Sequence, residues 1–179
     1  MLKKCIACLV ILFVLVACGP TQPTSELSAA QEAQLRREAL ITATAKKLQD
    51  AGVTIIHSGQ ESMLVLPADK FFFMDSSHLN GSYYGTLNAV SNYISLFDVE
   101  MVKVGGYSDN CGDPLRAVAL SRQQAQNIAS YLKNQGVKAP IIYAIGYGCT
   151  FPIADNSRAD GRAMNRRIQI TFYRLDAKR

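Results

Sequence analysis

Residues 99–109, VEMVKVGGYSD, combine an apolar segment with a glycine pair and a polar end, and they decide how the neighbouring segments are arranged. The apolar residues of 99–104 predict a β-strand that ends at the glycines. Asp113 and Pro114 then predict the start of a helix. Asp caps the first turn, and a proline at the first helical position loses no hydrogen bond that the helix needs. A strand followed by a helix is therefore the central unit.

Downstream of this unit, apolar residues at helical spacing predict a buried helix face formed by Val118, Ala125, Ile128, Ala129 and Leu132. Gly136 is the predicted stop, and Pro140 introduces a strand over residues 141–145. A polar loop over residues 154–163 precedes a last strand over residues 168–172.

Upstream, residues 53–56 and 63–66 predict the two strands of a hairpin around Gly59. From Tyr83 onward, apolar residues recur in steps of four and three, which predicts a helix. Helices that return between strands predict an α/β fold of the α+β sandwich type, with a mixed sheet and helices on one face.

Four short motifs, each weak alone, occur in order on these predicted elements. They are Gly106-Tyr107-Ser108-Asp109, Leu120-Ser121, Gly146-Tyr147-Gly148 and Asn165-Arg166-Arg167-Ile168. They resemble the Gly-His-Thr-Asp, Leu-Ser, Gly-x-Gly and Asn-Arg-Arg-Val motifs of the OmpA-like domain. The resemblance covers residues 53–174 and implies that family's β/α/β/α/β-β order.

The resemblance implies binding of the peptidoglycan stem peptide without covalent chemistry. The family aspartate that matches Asp109 helps to hold the ammonium and carboxylate of diaminopimelate, and one arginine of the Asn-Arg-Arg motif lies near the ligand. The implied ligand-binding residues are therefore Ser108, Asp109, Arg166 and Arg167, together with the residue at position 124. Alternation along a strand places Arg166 and Arg167 on opposite faces.

Three positions depart from the family pattern, and one of them is Phe73, which stands where the family has an acidic residue before the first long helix. The family arginine that follows the aspartate by fifteen residues is Gln124 here, and a family asparagine is Ala117. Glutamine keeps hydrogen-bond donors but loses the charge and the planar fork that suit a carboxylate. We therefore expect a structural envelope component with weak or lost peptidoglycan binding, such as the small OmpA-type lipoprotein of Dot/Icm type IVB secretion systems. The alternative is a non-covalent anchor that ties the outer membrane to peptidoglycan.

The N-terminus predicts a signal peptide over residues 1–17, because Lys3 and Lys4 precede an uncharged apolar run that is too short to span a bilayer. The run ends in Leu-Val-Ala-Cys at residues 15–18, which resembles the bacterial lipobox and implies a lipid on Cys18. Gly19, where enteric-type sorting uses Asp for inner-membrane retention, favours the periplasmic side of the outer membrane. Residues 18–27 then form a lipidated tether.

A spacer helix is predicted over residues 28–52, beginning with a capping box at Ser28. Its apolar stripe, Leu35, Ala39 and Leu48, is weak, so the sequence leaves open whether the helix packs on the domain. Cys111 and Cys149 remain once the N-terminal cysteines are set aside, and the oxidising periplasm favours a disulfide between them over two separate thiols.

The sequence argues against an enzyme, a cofactor or a metal site. Only two histidines exist, His57 and His78, and neither has the spacing of a zinc site or a defined triad. The net charge of +5 without a basic run gives no reason to expect nucleic acid. Phe71, Phe72 and Phe73 are interpreted as core. The expected partners are the outer membrane, peptidoglycan, and envelope or secretion-system proteins.

Overall fold

The computed structural model describes residues 28–109 and 112–175. The helices are α1 (Ala29–Asp50), α2 (Ala68–Phe71), α3 (Tyr84–Ser95), α4 (Pro114–Asn134) and α5 (Ala159–Asn165), and a 3-10 turn (Gly81–Tyr83) precedes α3. The strands are β1 (Thr54–Ser58), β2 (Glu61–Pro67), β3 (Val99–Tyr107), β4 (Ile141–Gly148) and β5 (Arg167–Arg174). The predicted signal peptide, Cys18 and the tether lie outside the described residues. Within these residues no helix has both the length and the apolar composition that a bilayer-spanning segment requires.

The five strands form one sheet in the order β1-β2-β5-β3-β4. β3 and β4 are parallel and are joined through α4, whereas the other neighbouring strands are antiparallel. The prediction of a mixed sheet is confirmed. Because β3 and β4 are parallel, their carboxyl ends meet at the same edge.

The core lies between one face of this sheet and the helices α3 and α4. Alternate residues of the central strands are fully buried, namely Leu64 and Leu66, Val102 and Val104, and Ile168, Ile170 and Phe172. The same cluster contains Leu87, Val90 and Ile94 of α3 and Ile128 and Leu132 of α4. Burial of each large aliphatic side chain stabilises the fold by about 1.5–3 kcal/mol. Helices on one face of the sheet are therefore confirmed.

The helix α1 begins with the predicted capping box. The Gln31 backbone N donates to Ser28 Oγ at 3.3 Å, and the Ser28 backbone N donates to Gln31 Oε1 at 2.8 Å. The C-terminal half of α1 packs on the domain, since Leu48 is fully buried and Ile41 is partly buried against the core. The question left open by the sequence is thereby answered. The N-terminal half of α1 stays exposed, including Leu35.

Some predicted boundaries differ from the structure. β3 continues through its glycine pair to Tyr107, because Gly105 and Gly106 keep their ladder partners in both β4 and β5. The polar segment predicted as a loop contains the start of α5, whose Asn165 is buried and accepts from the backbone N atoms of residues 153 and 154 at 2.7 and 3.0 Å. Two side chains predicted as core are exposed, Val118 at 41% and Phe73 at 58%.

Candidate functional site

A cleft of about 640 Å³ opens beside the carboxyl end of β3, between α4 and the segment that follows β2. This volume is within the range of small-molecule sites, about 300–1,000 Å³. Ser108, Asp109, Gln124 and Arg166, which the sequence singled out as ligand-binding residues, all line it. The cleft therefore collects four of the five predicted residues from three separate segments of the chain.

Arg166 holds two carboxylates at the centre of the cleft. Its Nε and Nη2 donate to the two oxygens of Asp69 at 2.7 and 2.6 Å, and its Nη1 donates to Asp109 Oδ2 at 2.5 Å. The hydrogen bonds to Asp69 and then to Asp109 raise the pKa of Arg166 further above its ordinary value, so the guanidinium stays charged. The Asp109 side chain is only 14% exposed, whereas that of Asp69 is 49% exposed.

Asp69 is a cleft residue that the sequence reasoning missed. It is the second residue after β2, within α2, and β2 pairs with β5 in a register that sets Pro67 opposite Arg167. The Ala68 backbone N also donates to the Arg166 carbonyl at 2.9 Å, which fixes Asp69 beside that arginine. The sequence does show an acidic residue just after a hairpin strand. It does not show the partner of that residue, because the contact depends on strand pairing between segments about 100 residues apart.

Gln124 occupies the α4 wall of the cleft and is 8% exposed. Its Nε2 donates to the carbonyl oxygen of Ser76 at 2.8 Å, so the side chain ties α4 to the loop before α3. Its neighbour along the helix, Asn127, makes a similar bond to the Ser77 carbonyl at 2.7 Å. The donor end of the Gln124 amide is thus used within the protein.

Two backbone features position the remaining polar groups. The Ser108 backbone N donates to the Gly148 carbonyl at 2.7 Å, which holds the end of β3 against the end of β4. The Arg116 backbone N donates to Asp113 Oδ1 at 3.1 Å, which confirms the predicted helix start. Both Asp113 and Arg116 line the cleft.

Arg167, the first residue of β5, does not line the cleft, whereas Arg166, which precedes the strand in extended conformation, does. The guanidinium of Arg167 lies 3.9 Å from the centre of the Tyr107 ring, and it donates to the carbonyls of Asn165 at 3.2 Å and Phe151 at 3.1 Å. Burial lowers the pKa of Arg167 and, together with the negative charge of the neighbouring Tyr147 phenolate, raises the pKa of Tyr107. Arg167 is thus a packed residue, and Arg166 alone of the pair faces the cleft.

The lining of the cleft carries an excess of negative charge. Four aspartates, Asp69, Asp75, Asp109 and Asp113, face two arginines, Arg116 and Arg166. Arg166 already forms ion pairs with two of these aspartates. The net negative charge that remains on the lining favours a cationic or zwitterionic ligand over an anion.

The structure describes one of the two cysteines of the predicted disulfide. Cys149 is disulfide-bonded, and Cys111 lies outside the described residues. The pairing of Cys111 with Cys149 therefore stays a prediction.

Both histidine side chains lie within hydrogen-bond distance of neighbouring hydroxyl groups. His57 Nδ1 lies 2.9 Å from Ser62 Oγ, and its Nε2 lies 3.3 Å from the Tyr93 hydroxyl. His78 Nδ1 lies 2.8 Å from Ser76 Oγ, which also accepts from the His78 backbone N at 3.0 Å, as in a serine turn. Within the described ranges no three His, Cys, Asp or Glu side chains are grouped so that they could hold a metal ion.

The chain is similar to several known proteins. The OmpA family matches residues 71–166 of the chain. "Probable lipoprotein YiaD" of Escherichia coli is 36% identical over 145 residues, which are 81% of this chain and 62% of that protein. "Peptidoglycan-binding protein ArfA" of Mycobacterium tuberculosis is 36% identical over 99 residues, which are 55% of this chain and 30% of that protein. The chain thus spans less than two thirds of either curated relative.

Among solved structures, the cell wall anchor of the T6SS from Pseudomonas aeruginosa superposes with a TM-score of 0.68 at 27% identity. The superposition covers 76% of this chain and 97% of the other. The likeness therefore extends over about three quarters of this chain.

Proposed function

The chain belongs to the OmpA family, and from that premise we propose that it is a lipid-anchored envelope protein whose cleft binds peptidoglycan without covalent chemistry. One observation carries the proposal: Asp109 and Arg166 meet in a cleft of peptide size. A carboxylate beside a guanidinium complements a zwitterionic amino acid, because each charge of the ligand finds an opposite charge. The names of ArfA and of the T6SS cell wall anchor support the same assignment.

The placement in the cell is part of the proposal. A lipid on Cys18 anchors the mature chain at the periplasmic side of the outer membrane, residues 18–27 form the tether, and residues 53–174 reach the wall. The name of the lipoprotein relative from Escherichia coli supports the anchor. The helix α1 then sets the distance between membrane and cleft, since its N-terminal half is exposed and its C-terminal half packs on the domain.

Co-sedimentation with purified peptidoglycan sacculi tests the wall-binding role. The full chain, purified in detergent, is compared with Asp109→Ala and with the matched control Asp160→Ala, which removes an exposed ion pair with Arg158 outside the cleft lining. We expect Asp109→Ala to weaken binding about tenfold or more, because a charge-assisted hydrogen bond contributes about 1.5–3 kcal/mol. Asp160→Ala should bind like the wild type. Equal sedimentation of all three proteins would exclude the cleft as the wall-binding site.

A second candidate function is a subunit of an envelope secretion machine, including the type IVB systems. Two points favour it: the resemblance implies an arginine at the position of Gln124, and the superposed Pseudomonas aeruginosa structure is the cell wall anchor of a T6SS. In this role the domain docks on other envelope proteins. Photo-crosslinking in cells from the exposed residue Met164 should then yield the same protein adducts in the wild type and in Asp109→Ala. Absence of protein adducts would remove this candidate.

A further inference from the structure

The orientation of the Gln124 amide is set by its hydrogen bond. Because the Ser76 carbonyl oxygen can only accept, the group 2.8 Å from it must be the Gln124 Nε2, and the Oε1 points the other way. No described residue donates to this Oε1. The side chain is more than nine-tenths buried and lines the cleft. The α4 wall therefore presents a hydrogen-bond acceptor to a ligand, where the family pattern has a cationic donor.

The opposite wall leaves little positive charge for a ligand carboxylate. Arg166 uses Nε, Nη1 and Nη2 on Asp69 and Asp109. A carboxylate placed near Gln124 would meet the amide oxygen and a lining with more aspartates than arginines. Both effects are repulsive. The other arginine of the lining, Arg116, lies eight residues from Gln124, about 12 Å along α4, so a carboxylate near Gln124 would lose its water without a compensating charge close by.

A carboxamide at the same place has the complementary groups. Its N–H donates to Gln124 Oε1, and it carries no charge to desolvate. The ammonium of the same ligand still meets the carboxylates of Asp109 and Asp69. The geometry points to a cleft that selects a primary ammonium flanked by a carboxamide, as in a stem peptide whose diamino acid is amidated at its side-chain carboxyl group. This inference rests on the proposed peptidoglycan-binding function and makes Gln124 its specificity-determining residue.

Calorimetric titration with three synthetic tripeptides tests the inference on the full chain in detergent. All three begin with L-alanyl-γ-D-glutamyl, and they end in diaminopimelate, in its side-chain amide, or in lysine. We expect the amide to bind about tenfold more tightly than the free acid, with lysine between them, because lysine lacks both the repulsive carboxylate and the extra donor.

Substitutions at a buried and at an exposed position of α4 make the test specific. Gln124→Arg should reverse the order, so that the free acid binds about tenfold more tightly than the amide. Gln126→Arg adds the same charge at an exposed position of α4 and should leave the wild-type order unchanged. Gln124→Met removes the acceptor with little change in volume and should reduce the preference for the amide over the free acid to about twofold. Should Gln124→Arg fail to fold, the wild type and Gln124→Met decide the question.

The outcomes separate this inference from the proposed function. If the wild type binds the free acid as tightly as the amide, the selectivity is wrong and wall binding stands. If sacculi sediment the protein but none of the tripeptides binds, the ligand is another part of the wall and the inference falls. If neither sacculi nor tripeptides bind, the proposed function falls and the inference with it.

Discussion

The helices α4 and α1 both flank the domain, and they are attached in different ways. α4 lies directly on the strand backbone, because Gly106 and Gly146 have no side chain to separate helix from sheet. A Cβ added at Gly106 would be 2.0 Å from the Ser121 carbonyl oxygen, and one at Gly146 would be 2.5 Å from the backbone N of Arg122. The Gly148 backbone N also donates to Ser121 Oγ at 3.0 Å.

α1 is held by a few side chains instead. Of its 22 residues only Leu48 is buried, and Arg37 reaches the Leu96 carbonyl at the end of α3. The difference shows that Gly106 and Gly146, which lie in the motifs that resemble the OmpA-like domain, allow the close contact between α4 and the sheet. The helix α4 also forms one wall of the cleft. The attachment of α1 should therefore tolerate changes that the α4 contact does not.

Gly106→Ala should produce the largest effect. The added methyl group would overlap the Ser121 backbone, so α4 must shift, and we expect the free energy of unfolding to fall by about 3 kcal/mol. Urea unfolding followed by circular dichroism measures this change. The matched control is Gly85→Ala in α3, where an added Cβ meets nothing within 4 Å and should raise stability by about 0.5–1 kcal/mol. A similar small effect at both glycines would contradict the close contact of α4 with the sheet.

Leu48→Ala should have the next largest effect. Removing this fully buried side chain loses its transfer free energy and leaves a cavity, so we expect a loss of about 2–3 kcal/mol in the free energy of unfolding. Leu35→Ala on the same helix is the control, since Leu35 is 51% exposed and its truncation should change stability by less than about 0.5 kcal/mol. Equal losses for the two variants would mean that α1 packs along its whole length.

Arg37→Ala should have the smallest effect. Its Nε and Nη2 both donate to the Leu96 carbonyl, at 2.9 and 2.7 Å, and so satisfy an orphan acceptor at the C-terminus of α3. The contact is exposed, so we expect a loss of about 1 kcal/mol. Arg36→Ala removes only an exposed ion pair with Glu32 at 3.7 Å and should cost less than about 0.5 kcal/mol. Hydrogen exchange of the α1 amides would locate the change, and unaltered exchange in Arg37→Ala would show that this contact does not hold α1.

The sequence predicted most of the fold because its signals are local. The capping box at Ser28, the Asp113-Pro114 helix start and the apolar spacing of α3 each depend on residues within a few positions of one another. Predictions failed where a distant contact overrides the local pattern. Phe73 is a phenylalanine like the two buried residues before it. Its side chain is nevertheless exposed and lines the cleft.

The candidate site shows the same division. Position 109 and position 124 were found from motif and spacing, and the prediction that Arg166 and Arg167 point to opposite sides agrees with their different contacts. The second carboxylate partner of Arg166 was not found, because Asp69 reaches it only through the pairing of β2 with β5. An ion pair depends on distance in space, which spacing along the chain does not report.

The sequence by itself determined the order of helices and strands, the family resemblance and the presence of glutamine at position 124. Only the tertiary structure decided that Arg166 joins Asp69 to Asp109, that the Gln124 amide turns its donor to Ser76, and that α1 packs through Leu48. The physical reason is the range of the interactions. Helix caps and apolar periodicity act over one or two turns of chain, whereas these contacts join segments about 40 residues or more apart along the chain.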